Sequence, residues 1–344
     1  MFGRMLIAAT GLAVAVSTTP TAVKAAEEVN LYSYRQEFLL APLLEAFQKE
    51  TGIKTNVVYV DGGVLNRMLA EGQNSPADAV LTVDIGRLHD HYKADTLQPV
   101  KSEYLEKRIP AAYRHPEGYW YGLSIRSRVI YHSKDRVNPS ELSTYEALAD
   151  PKWKGRICTR QGSHVYMVSL LASIIEADGM EKAEQWAQGV KQNLARKPQG
   201  NDRAQSRAIM EGVCDIALAN TYYYGKMKQN PEQQPWADAV KIYFPNQEGR
   251  GAHVNISGAG VAKHAKNPEN AIKLIEFLAG DKAQHIYASD NMEYPIVDGV
   301  EWPEEVKSWG DFKPDETSLA AIAEHRADAL KIFNKVGYDE GPGT

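Results

Sequence analysis

Beyond its N-terminus, this 344-residue chain has no apolar run long enough to cross a bilayer, which excludes a membrane-embedded body. It also has no concentrated positive charge. Its 39 Lys and Arg are scattered among 44 Asp and Glu, for a net charge of −5, and this excludes a nucleic-acid-binding surface. The motifs of common enzyme chemistries are missing: there is no G-x-S-x-G elbow, no H-E-x-x-H pair and no phosphate-cradling P-loop. His164 follows Cys158 by six residues, but no nucleophile signature surrounds the pair. Glu37 and Asp84 both fall near expected strand ends, and they are the remaining acid/base candidates. The chain is therefore read as no enzyme. Histidine is scarce, and His89 and His91, flanking Asp90, read as solvated positions on a surface helix. Cysteine is scarcer still, with Cys158 and Cys214 as the whole complement.

What is present begins with a secretory pattern. Arg4 supplies charge, residues 5–16 form an apolar core too short to span a bilayer, and Val23 and Ala25 stand at the −3 and −1 positions of a cleavage site. No cysteine lies near that site, which argues against a lipid anchor. Residues 1–25 are thus expected to be a signal peptide, and the mature protein is expected to be periplasmic. About 319 residues would remain, enough for two domains. In an oxidising compartment two cysteines suggest a disulfide, with two separate buried thiols as the other reading.

The first hundred mature residues alternate strand and helix. Strands are expected at 29–34, 55–60 and 79–83, and helices at 39–51, 64–72 and 85–94. Gly52 is placed to end the first helix. This order implies a parallel sheet with ligands bound beyond the carboxyl ends of its strands. Residues 119–133 form a long extended run without helix signal. A second α/β set follows, with helices at 143–148, 165–177, 180–191 and 202–211 and strands at 156–160 and 214–219. A further run at 240–244 leads through Gly249 and Gly251 to an extended segment from Val254. Helices are expected at 267–278, 282–289 and, as one long element, 318–336. Two extended crossings between two α/β units imply a two-lobed clamshell: 26–127 as the first lobe, 128–245 as the second, and 246–344 returning to the first and adding the C-terminal helices. Closure about the crossings is the expected motion.

The most informative residues are Tyr222, Tyr223 and Tyr224, directly after the strand expected at 214–219. Three consecutive tyrosines cannot all face one core. Packing alone is one reading. The other is that phenol oxygens converge on a hard cation, because a phenolate forms at neutral pH only beside strong positive charge. A spacing supports the second reading. Cys158 precedes Tyr166 by eight residues, and Cys214 precedes Tyr222 by eight. If the cysteines pair, Tyr166, Tyr222 and Tyr223 emerge on one rim and three phenolates balance one Fe3+. Across the cleft, Glu37 or Gln36 could complete the metal shell, and Arg35 or Arg126 could hold an anion such as carbonate. Arg126 and Arg128, two apart on an extended strand, share one face, with surface salt bridges as their plainer reading. Tyr131 reads as lining or core. A clamshell binder of an oxyanion or a polyamine is the alternative. An oxyanion leaves the tyrosines unexplained, and a polyamine asks for carboxylates.

Several segments carry a resemblance: Leu31-Tyr-Ser-Tyr-Arg35, Asn74-Ser-Pro-Ala-Asp78, Thr82-Val-Asp-Ile-Gly-Arg-Leu88, Arg126-Ser-Arg-Val-Ile130, Trp153-Lys-Gly-Arg-Ile-Cys158, Asn201-Asp-Arg-Ala-Gln205 and Asn220-Thr-Tyr-Tyr223. Together they resemble the periplasmic ferric-iron-binding proteins of ABC importers, over essentially the whole mature chain. The resemblance implies a type II periplasmic-binding-protein fold. It also implies a monomer that delivers ferric iron to a permease and ATPase complex, iron ligands at Tyr166, Tyr222 and Tyr223, and an arginine near the metal at Arg126. Some members carry His-Tyr after the first strand's arginine. This chain has Gln36-Glu37 there, which implies three tyrosine ligands completed by a carboxylate, an anion or water.

Overall fold

The structure is a computed structural model that describes residues 27–60 and 62–343. The expected signal peptide lies outside the described residues. The first elements follow the expected alternation: β1 (Glu28–Ser33), α1 (Glu37–Thr51), β2 (Lys54–Tyr59), α2 (Val64–Glu71), β3 (Ala79–Thr82) and α3 (Ile85–Lys93). Two more, outside that expectation, come next: the short β4 (Leu97–Gln98) and α4 (Glu103–Arg108). Leu39, Leu40, Leu43, Leu44 and Phe47 of α1 are buried, and Gly52 ends the helix in the left-handed region with φ 73°. Strands β2, β1 and β3 pair in parallel.

The 13-residue β5 (Tyr121–Ser133) is the first crossing. The second lobe follows with β6 (Ile157–Cys158), α5 (Val165–Asp178), α6 (Met180–Asn193), α7 (Asp202–Met210), β7 (Ile216–Asn220), α8 (Thr221–Lys228), α9 (Gln234–Asp238) and β8 (Val240–Tyr243). The chain then makes β9 (Val254–Ala262), α10 (Pro268–Leu278), α11 (Asp281–Ser289), β10 (Tyr294–Pro295), α12 (Glu304–Lys307), α13 (Leu319–Glu324) and α14 (Arg326–Lys335). From Tyr121 to Ser127, β5 pairs antiparallel with β9, which also borders β3. From Arg128 onward β5 pairs with β7 and β8 instead. One strand is thus shared by the sheets of both lobes, and the chain returns between β8 and β9. Gly251 belongs to that return. Its φ is 96°, and a Cβ there would lie 2.6 Å from the Pro314 carbonyl, so only glycine fits.

Three expectations are corrected. Residues 318–336 are two helices, not one. The chain turns at His325, so that α13 packs between α3 and α5 while α14 lies on α5 and α6. The helix expected at 143–148 is only a short 3-10 turn, Glu146–Ala149, closed by Pro151. His89 and His91 are buried, not solvated. His91 Nδ1 lies 2.9 Å from Thr96 Oγ1, and its Nε2 lies 3.3 Å from the Tyr34 hydroxyl. Burial, with Arg87 nearby, lowers its pKa to about 4. Among the described residues no helix is long and apolar enough to cross a membrane.

Candidate metal centre

The parallel pairing of β6 with β7 brings two strand ends to one rim. Cys158 and Cys214 are disulfide-bonded across it, with Cα atoms 5.9 Å apart. A helix starts beyond each strand, and the tyrosines stand in its first turn. Tyr166 follows the N-cap His164, whose Nδ1 accepts the Tyr166 N–H at 3.1 Å. Burial and Arg160 lower the His164 pKa to about 3, which keeps that nitrogen free to accept. Tyr222 and Tyr223 open α8.

The Tyr166 and Tyr222 hydroxyls are 3.3 Å apart, and the Tyr222 and Tyr223 rings lie 4.2 Å apart by centroid. All three side chains are buried. Helical geometry separates the third member of the triplet, because residues turn about 100° per step. Tyr224 faces Tyr131 and Trp309 instead. Tyr131 itself is core, donating to the Asn220 carbonyl at 2.9 Å. Burial, and then the neighbouring Tyr166, push the phenols of Tyr222 and Tyr223 above their ordinary value. Both are therefore protonated at neutral pH unless a cation arrives.

Arginines surround the phenols. The guanidinium carbons of Arg126, Arg128 and Arg160 lie 5.6, 5.8 and 5.1 Å from the Tyr166 ring centroid. Arg203 lies 5.7 Å from that of Tyr223. Arg126 and Arg128 are buried, so the surface salt-bridge reading does not hold. Asp202 organises the group. It is fully buried and accepts from Arg128 at 2.5 Å, from Arg160 at 3.1 Å and from the Asn220 N–H at 2.9 Å. Burial alone would raise its carboxyl pKa, but the two arginines outweigh that and lower it. Asp202→Ala would leave Arg128 buried without its carboxylate. We expect a loss of about 3–5 kcal/mol in denaturant unfolding; a change within about 0.5 kcal/mol, ordinary for a surface site, would show that Asp202 does not hold the arginines.

The phenols line a cleft of about 380 Å³ together with Tyr34, Arg35, Gln36, Arg87, Arg160 and Asn201. Arg35 is turned inward, bonded to both Glu293 oxygens at 3.2 and 2.7 Å and to Ser257 at 2.8 Å. Gln36 borders the cleft, whereas Glu37 is exposed at the start of α1 and outside the lining. Arg126 stands behind Tyr166, its Nη2 3.7 Å from Asp84. Sequence reasoning did not single out Arg87, Arg160, Arg203 or Asp202 as site residues. Arg160 carried a signal in its place at the carboxyl end of a strand, and Arg87, Asp202 and Arg203 in their place inside segments that carry the resemblance. Among the described residues no three His, Cys, Asp or Glu side chains form a metal-holding group, so the phenols are the distinctive donors.

Residues 74–313 match the family of bacterial extracellular solute-binding proteins. This chain belongs to that family. Iron uptake protein A1 of Synechocystis sp. is 48% identical over 315 residues, 91% of this chain and 88% of the relative. Among solved structures, the apo ferric ion-binding protein A of Pasteurella haemolytica superposes with a TM-score of 0.88 at 49% identity, covering 91% of this chain and 99% of that one. A Trichodesmium protein in complex with iron and citrate ligands superposes at 0.85 with 48% identity, over 90% and 99% of the two chains. The fold is accordingly the type II clamshell of solute-binding proteins, with β5 and the return into β9 as its crossings.

Proposed function

We propose that this solute-binding protein captures ferric iron in the periplasm and delivers it to the permease and ATPase of an ABC importer. Tyr166, Tyr222 and Tyr223 supply the ligands. The observation that carries this reading is the convergence of three buried phenols from the first turns of two helices onto one cleft. A trivalent cation is the partner that makes such a cluster favourable. It would neutralise three phenolates, two of them from phenols, Tyr222 and Tyr223, that otherwise resist ionisation.

Three phenolates leave a ferric ion neutral overall, yet arginines ring the site. That excess positive charge suits an anion, carbonate for example, filling coordination positions not taken by protein. Gln36 and Arg160 line the cleft and would hold it, whereas Arg126, buried behind Tyr166, would act only through its charge; the cleft is roomier than a bare ion requires. Glu37 would need a rotation toward the cleft to serve as a ligand. The protein acts as a monomer whose lobes, 26–127 with the return from 246 and 128–245 with α14 packed on it, close over the ion. The cargo is bound and released without bond-making chemistry. No acidic side chain is among the cleft-lining residues, which disfavours a polyamine. A bare oxyanion would leave the phenols unused.

Titration of metal-stripped protein with ferric citrate is expected to produce a visible phenolate-to-iron band that saturates at one iron per chain. A protein that stays colourless would overturn the reading.

A further inference from the structure

Asp84 belongs to no part of the cleft lining, yet it ties together three separate elements. It is fully buried at the N-cap of α3 in the first lobe. Its Oδ1 accepts from the Gly86 N–H at 2.9 Å and from the Ser169 hydroxyl at 2.7 Å. Its Oδ2 accepts from the Asn255 amide at 2.9 Å. These donors come from three places: α3 itself, helix α5 of the second lobe, and the return strand β9. Arg126 of the crossing strand and Arg326 of α14 stand farther off, at 3.7 and 3.9 Å. Gly86 clears the space for Arg326, since a Cβ there would overlap its guanidinium at 1.6 Å.

The location gives the contact its meaning. Asn255 is the register partner of Arg126, two residues before β5 passes to the second sheet at Arg128. The carboxylate therefore sits beside the place where the crossing strand passes from one sheet to the other. Ser169 lies three residues after Tyr166 on α5, one helical turn along the same face. Whatever fixes Ser169 also fixes the rotation and depth of the turn that carries the Tyr166 phenol.

We propose that Asp84 is a positioning residue. Through Ser169 it pins α5 to the first lobe at the hinge and sets the Tyr166 oxygen against that of Tyr222. Its metal readout rests on the ferric reading above; its mechanical readout does not.

The test uses the mature protein with Ser169→Ala, which removes the hydroxyl, and Ser169→Thr, which restores one, with circular dichroism confirming the fold of each. In metal-free protein, small-angle X-ray scattering is expected to give a larger radius of gyration for Ser169→Ala than for wild type, and Ser169→Thr to return it. In iron-loaded protein, Ser169→Ala is expected to move the visible band and to bind iron about 10–100-fold more weakly in competition with a chelator, as for other residues that orient ligands. Wild-type scattering together with a wild-type iron affinity in Ser169→Ala would overturn the proposal. So would altered behaviour that Ser169→Thr fails to correct. If wild-type protein shows no band, the ferric reading has failed, and the scattering comparison alone decides the role of Asp84.

Discussion

Tyr222→Phe is expected to remove most of the visible ferric band and to weaken iron binding by well over a hundredfold. The reason lies in the geometry of the cluster. The Tyr222 hydroxyl lies 3.3 Å from that of Tyr166, and its ring packs 4.2 Å from that of Tyr223 by centroid. Phenylalanine keeps the ring and therefore the packing, so what is lost is one anionic oxygen. Residues that merely orient a metal ligand typically change affinity 10–100-fold, and a ligand itself must exceed that. Tyr166→Phe and Tyr223→Phe are expected to weaken binding in the same direction and to shift the band without erasing it. Tyr224→Phe supplies the internal control. Its ring points toward Tyr131 and Trp309, away from the other phenols, so its band and affinity are expected to match wild type. Equal behaviour of Tyr222→Phe and Tyr224→Phe would show that the triplet is packing and not a ligand set.

The contrast between Tyr222 and Tyr224 also marks what a linear sequence can reveal. Position after a strand, and the matching eight-residue offsets from Cys158 and Cys214, single out Tyr166, Tyr222 and Tyr223 because these are local relations repeated in two units. The crossing β5 is legible for a similar reason, as a long extended run without a helical period. The surroundings of the phenols are not local. Arg128 meets Asp202 from 74 positions away, and Arg35 meets Glu293 from 258. A charged residue reads as solvated until its partner is found, which is why Arg126 and Arg128 admitted a surface reading. His91 misled in the same way, since its partner Tyr34 lies 57 positions away, just after β1. The break at His325 was hidden because both halves have helical composition. Only the need to pack α13 against two lobes at once separates them.

Acid is expected to strip the iron, with a steepness that counts the phenols. Burial and then Tyr166 hold the Tyr222 and Tyr223 phenols above their ordinary value in metal-free protein, so both carry protons at and well above neutrality. As the proposed iron ligands they would be phenolates in the loaded site. Binding therefore expels protons, and lowering the pH opposes it. The sign follows directly: affinity rises with pH through the whole neutral range, because the metal-free state is the more protonated one. Each displaced proton contributes about tenfold per pH unit. Tyr222 and Tyr223 alone thus predict roughly a hundredfold change in affinity per unit, and every further phenolate ligand adds another factor of ten. Competition with a chelator of known protonation, run between pH 5 and 8 in an unreactive buffer, reads this slope once the protons of the chelator, of hydrolysed iron and of any bound anion such as carbonate are subtracted. Tyr222→Phe is expected to lower the slope by one proton as well as lowering the affinity, which separates loss of a ligand from damage to the fold. A site in which arginines simply gripped an anion would keep its charge over that range and give a flat line.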